Sequence, residues 1–177
     1  MKVYHYVSKP NNASNEGILS LFKNPHADLR YYYKRSGKTS HKEIVRWFED
    51  SFAGRSRGIR VFSEPIRWTA KSLSLKEFVE NADMFSIDVD ALAQDGFLEA
   101  VYVSPPVPDV PTLKGQWNCD ELLIKLPDYH LISPYPVDWS MCDDELGRRF
   151  AFVPYYLLVI KDGVILPRYF IKERITF

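Results

Sequence analysis

In the opening run KVYHYV, Val3, His5 and Val7 alternate with Lys2, Tyr4 and Tyr6. A period of two is the signature of a strand, so this run is expected to be extended. The stretch SKPNNASN that follows is dense in turn-forming Ser, Asn and Pro. EGILSLFKN then offers one or two helical turns with Ile18, Leu21 and Phe22 on one face, closed at Asn24-Pro25. The strongest helical signal begins at SHKE. Ser40 and Glu43 stand at capping-box spacing, where the hydroxyl accepts from a first-turn amide and the carboxylate reaches back. Ile44, Trp47, Phe48 and Phe52 follow as one apolar stripe, and Gly54 is a natural stop.

Downstream, GIRVFSEPI predicts a strand ending at Pro65. Ser74 with Glu77 marks a second capping pair, ahead of a short helix carrying Leu75, Phe78 and Val79. MFSIDVDAL and GFLEAVYVSP read as strands on either side of an Asp95-Gly96 turn. SPPVPDVPTLKG is an extended surface connection and ELLIKL a buried strand. The end of the chain, YYLLVIKDGVILPRYFIKERITF, predicts a hairpin turning at Lys161-Asp162-Gly163, with Pro167 placing the returning strand at an edge or a bulge. The expected fold is therefore α+β: a single domain over residues 1–177, mainly antiparallel strands, with two or three short helices in the first half and a C-terminal β-hairpin over 155–177.

Composition agrees with a packed domain. Of 177 residues, 46% are hydrophobic and 15% aromatic, which excludes a disordered chain. No apolar run approaches the roughly 20 residues that span a bilayer, so no membrane partner is expected. Cys119 and Cys142 are too few for a disulfide framework. With no signal-peptide pattern at the start, the chain reads as cytoplasmic, or as exported by a signal-independent route.

The net charge of zero conceals two blocks. Between Asp28 and Lys76 there are 12 basic and 5 acidic residues; between Glu77 and Gly147 there are 2 basic and 15 acidic. Either the basic segment 28–76 meets an anionic ligand, or it packs on the acidic segment 77–147 of the same chain.

The sequence holds no glycine-rich phosphate loop, no nucleophile elbow, no zinc-protease helix and no paired-cysteine motif. His26, His41 and His130 are scattered, and no metal is expected. Acidic neighbours Asp143 and Asp144 oppose a thiolate at Cys142. Three segments remain: the first strand with His5, the run GRSRGIRVFSEPIRW with Arg55, Arg57, Arg60 and Arg67 around Ser63 and Glu64, and WNCDELLI with Asp120 and Glu121.

A YHYxS first strand, a later strand bearing Ser, and a late acidic residue at a strand's start resemble the mono-ADP-ribosyltransferase family. The resemblance implies an NAD-consuming enzyme, of toxin or effector type, that modifies a macromolecular acceptor, protein rather than nucleic acid. It further implies His5 on the NAD ribose, Ser63 near the nicotinamide ribose and Glu121 as the catalytic carboxylate. Arg55 and Arg57 suit the pyrophosphate, because a guanidinium bonds two oxygens at once. Among Tyr31, Tyr32 and Tyr33, Tyr33 is assigned to cover the nicotinamide. Two other functions fit the same residues: a non-catalytic protein-binding module of inhibitor or immunity type, suggested by the charge blocks and aromatics, and a nucleic-acid-binding domain using the arginines and tyrosines.

Overall fold

The computed structural model describes residues 1–52, 55–66, 73–103, 123–132 and 155–175. Five helices lie among these, α1 (Ala13–Glu16), α2 (Arg30–Ser36), α3 (His41–Phe52), α4 (Leu73–Glu80) and α5 (Val89–Gln94). The strands are β1 (Lys2–Ser8), β2 (Ile18–Leu19), β3 (Gly58–Val61), β4 (Ala82–Asp88), β5 (Leu98–Val103), β6 (Ile124–Lys125), β7 (Tyr156–Ile160), β8 (Val164–Ile165) and β9 (Phe170–Glu173). The fold is α+β, and every described strand pair is antiparallel.

The strands form sheets in the orders β1-β4-β9, β3-β7-β5-β6 and β2-β8. The two larger sheets meet where Tyr4 of β1 bridges Phe62, the residue after β3. Each residue donates its N–H to the other's carbonyl at 2.8 Å. β7 lies between β3 and β5, and its five residues are all buried. This central place explains why LLVI reads as a continuous apolar run rather than an alternating one.

The main core draws Val3, Phe85 and Ile87 from one sheet and Ile59, Val61, Leu158 and Ile160 from the other. Behind the β1-β4-β9 sheet, Val79 of α4 packs with Tyr6, Ala82 and Met84; behind the other sheet, Tyr102, Tyr155, Leu157 and Val159 cluster. Phe62 packs against both rear clusters. A separate cluster of Phe22, Tyr32, Ile44 and Phe48 holds α2 to α3.

The expected helix over α3 forms with its capping box. Ser40 N–H donates to Glu43 Oε2 at 3.3 Å, and Glu43 N–H donates to Ser40 Oγ at 3.3 Å. Other elements depart from expectation. Ile18 and Leu19 leave the anticipated helix to pair with Ile165 and Val164. The described part of α4 begins at Leu73, so Ser74 lies inside the helix instead of capping it. The strand through MFSID stops at Asp88, whose side chain accepts from Ala91 N–H at 3.1 Å and starts α5. β6 is an exposed two-residue edge with Ile124 56% exposed; Leu123, just before it, is buried. At the C-terminus the turn falls at Lys161–Gly163 as expected, but its arms diverge. β7 pairs with β3 and β5, β8 with β2, and β9 with β4. Gly54, Arg67, the proline-rich connection and both cysteines lie outside the described residues.

Gly17 ends α1 at φ 97° and ψ 173°, a region that side chains rarely enter. A Cβ there would stand 2.5 Å from the Ile165 carbonyl oxygen, whereas at Gly37, φ 68°, it would meet nothing within 4 Å. Gly37→Ala is expected to cost about 1 kcal/mol from its left-handed backbone alone. Gly17→Ala adds a backbone collision and should cost about 3 kcal/mol or more. Thermal unfolding of the two variants checks the ordering; equal losses would show that the β2–β8 contact is not rigid.

Candidate functional site

His5 lies at the centre of β1, on the face that carries Val3 and Val7 toward the main core. Its cross-strand partner on β4 is Phe85, itself a core residue. On the other side, the antiparallel Tyr4–Phe62 bridge sets Val61 beside His5 and Ser63 beside Val3. His5 is thus not on a solvated strand face: it is half-buried at the junction of the two sheets.

The imidazole Nδ1 is 2.6 Å from the backbone carbonyl oxygen of Arg60. A carbonyl can only accept, so Nδ1 carries the hydrogen, and in the neutral ring Nε2 keeps a lone pair. Burial lowers the His5 pKa below its usual 6.5, against the opposing effect of the Arg60 hydrogen bond. The ring is therefore neutral near pH 7, with a fixed tautomer and one accepting nitrogen.

The other expected site residues divide by position. Ser63 falls just past the bridge, in the bend that follows β3, and is half-buried. Arg57 sits in the 3-10 turn Arg55–Arg57 before β3, at the opposite end of that strand from Ser63. Six residues of extended chain cover about 20 Å, so these two groups do not share one small pocket through β3. Arg57 Nη2 donates to Glu99 Oε2 of β5 at 2.6 Å, an ion pair between the basic and acidic segments of the same chain. Its buried Nε has no hydrogen-bond partner among the described atoms. The Arg55 side chain and Glu121 lie outside the described residues. Tyr33 packs against the α2–α3 cluster, away from the core face that holds His5.

Arg60 contributes in two ways. Its carbonyl fixes His5, and its guanidinium carbon lies 4.8 Å from the centre of the Tyr155 ring. Tyr6, next to His5 but on the opposite face, accepts from Ile66 N–H at 2.9 Å and anchors the chain just after Pro65. Burial pushes its phenol up to about 12, so it stays protonated. The sequence gives no sign of either role: the Arg60 contact uses a carbonyl that every residue has, and the Tyr6 contact spans 60 positions. Among the described residues no group of three or more His, Cys, Asp or Glu side chains is arranged to hold a metal, and no helix is long and apolar enough to cross a membrane.

No protein-family model matches the chain, and neither a curated protein nor a solved structure gives a significant match.

The lowered His5 pKa fixes a pH dependence. Below the usual 6.5 and above the lowered native value, the unfolded chain binds a proton that the folded chain refuses. Stability is fully present above that window and falls as the solution is acidified through it. Comparing urea midpoints at pH 7.5 and pH 5.5, His5→Gln should show a smaller acid-induced loss than the wild type. An unchanged loss would mean that His5 titrates normally in the folded state.

Proposed function

We propose that the chain is an NAD-consuming, ADP-ribosyltransferase-like enzyme acting on a macromolecular acceptor. The observation that supports this reading is the His5 imidazole. It stands on the first strand, locked into one tautomer by Arg60, beside the strand that leads into Ser63. When bound, NAD supplies a nicotinamide–ribose bond whose cleavage builds positive charge on the ribosyl carbon.

The chain's own part is to hold the ribose and to tolerate that charge. His5 Nε2 is a neutral acceptor suited to a ribose hydroxyl, and a neutral ring adds no repulsion to a nearby developing cation. Ser63 offers a short hydroxyl in the bend just past the neighbouring strand, able to donate or accept. Glu121, by family resemblance, carries the negative charge that lowers the barrier. Arg57 is committed to Glu99 and Tyr33 to the α2–α3 cluster, so we assign neither a contact with NAD.

Release of nicotinamide from NAD, followed by chromatography, tests this reading. His5→Ala and Glu121→Gln should each lower turnover about 100-fold or more, the scale of losing one charge-stabilising or orienting group. His5→Ala also removes the bond to the Arg60 carbonyl, so its melting temperature must be read alongside; Ser63→Ala, which breaks no described hydrogen bond, serves as the milder probe. Wild-type protein that releases no nicotinamide under any condition, yet binds one protein partner tightly, would replace the enzyme with a binding module.

A further inference from the structure

We infer that Tyr6 is a positioning residue: its hydroxyl clips the bend at residues 63–65 to β1 and so sets Ser63 relative to His5. The inference rests on the ADP-ribosyltransferase reading, which it extends by one residue. Three consecutive residues of β1 each hold one residue of the segment 60–66. Tyr4 exchanges both backbone hydrogen bonds with Phe62 at 2.8 Å. His5 Nδ1 is 2.6 Å from the Arg60 carbonyl oxygen. The Tyr6 hydroxyl accepts from Ile66 N–H at 2.9 Å. The first two contacts hold the strand before the bend, and the third holds the chain after it.

The residues between decide what that third bond does. With Phe62 and Ile66 pinned, Ser63, Glu64 and Pro65 are left to span the gap. A proline fixes its own φ and restricts the residue before it. It also lacks an amide hydrogen, so Ile66 carries the first backbone donor on the far side of Pro65. A short span tied at both ends and stiffened by proline has few conformations left. Tied at one end only, it would leave Ser63 free to swing away from β1.

Packing alone does not call for the hydroxyl. Tyr6 is buried on the face opposite His5, its ring 6.0 Å from the Phe62 ring and 5.8 Å from the Phe78 ring. A phenylalanine would make the same ring contacts. A buried phenol oxygen costs free energy unless it is hydrogen-bonded, and here its partner is the Ile66 amide. The ring therefore belongs to the core, whereas the oxygen acts on the bend. Because the side chain faces away from His5, it serves the site through Ser63 and not by touching NAD.

Tyr6→Phe removes the oxygen and keeps the ring. Amide exchange followed by NMR, together with nicotinamide release, tests the inference in wild type, Tyr6→Phe, Ser63→Ala and the double variant. In Tyr6→Phe the Ile66 amide should exchange at least about tenfold faster, while the amides of β4 and β7 keep their rates. Its kcat for nicotinamide release should fall about tenfold with KM within about twofold of the wild type, the pattern of a misplaced group that leaves substrate binding intact. In the Ser63→Ala background Tyr6→Phe should cause no further fall, since the group it positions is gone. Unchanged Ile66 exchange overturns the inference. So do losses that multiply in the double variant, which would make Tyr6 a core residue and nothing more. In both of those cases an active wild type leaves the enzyme reading standing. Wild-type protein that releases no nicotinamide overturns the enzyme reading and the positioning role together, and faster Ile66 exchange in Tyr6→Phe then marks a clasp of the fold alone.

Discussion

The two reciprocal hydrogen bonds between Tyr4 and Phe62 are the constraint on which the arrangement rests. They are the one described bridge between β1 and the β3 segment, and through it seven strands follow in the order β6-β5-β7-β3-β1-β4-β9. A single bridge is a weak seam, and three side chains reinforce it. Phe62 packs into the clusters behind both sheets. Tyr6 draws in the chain after Pro65 through the Ile66 amide. His5 reaches from β1 to the Arg60 carbonyl, supplying across the seam a third bond that no ladder provides. The residue with the best chemical credentials is therefore also a structural fastener. That double use accounts for its fixed tautomer: the same bond that closes the seam leaves Nε2 as the accepting nitrogen.

The alternation of the first strand, the α3 capping box and the buried run of β7 could all be read from local periodicity, because each is decided by residues within a few positions of one another. What could not be read were pairings between distant segments. Ile18 and Leu19 have helical neighbours, but Val164 and Ile165 offer them a ladder, and Gly17 turns the chain toward it. The C-terminal turn was visible in Lys161-Asp162-Gly163, with Asp162 and Gly163 both at positive φ. The destination of its arms was not, since β4 and β2 compete for β9 and β8 from 80 or more residues away. α2 carries no helical periodicity in its sequence, because its three consecutive tyrosines show no clean 3.6-residue stripe. Asp28, accepting from the Arg30 amide at 3.1 Å, and Gly37, at φ 68°, bracket it and were the available signals.

For the site, the sequence points to His5 and Ser63, and the seam sets Ser63 in the bend just past the segment that pairs with β1. The sequence also points to Arg57 for the pyrophosphate, and the structure sets Arg57 at the other end of β3 from Ser63, paired with Glu99. A strand converts proximity in sequence into separation: residues at its two ends are far apart, while residues on adjacent strands, 55 positions apart in sequence, touch. Clusters of like residues along one strand are thus poor guides to a shared pocket.

The two charge blocks follow the same logic. In the described part of the acidic block, most carboxylates have local employment. Asp83 accepts from Asn11 at 2.9 Å and lies 3.1 Å from Lys172; burial pushes its carboxyl up, but these bonds together with Lys9 hold it below the usual range. Asp88 caps α5, Asp95 accepts from Tyr169 at 2.5 Å, and Glu99 takes Arg57. These contacts fasten β4 to β9, α5 to its own first turn, and the start of β3 to β5. None of them reaches α2. The net charge of zero is therefore not a local balance between the two blocks: acidic groups of the second block are spent one by one on the sheets, while Asp28 and Glu43, at either end of α2 and its following loop, serve the basic block.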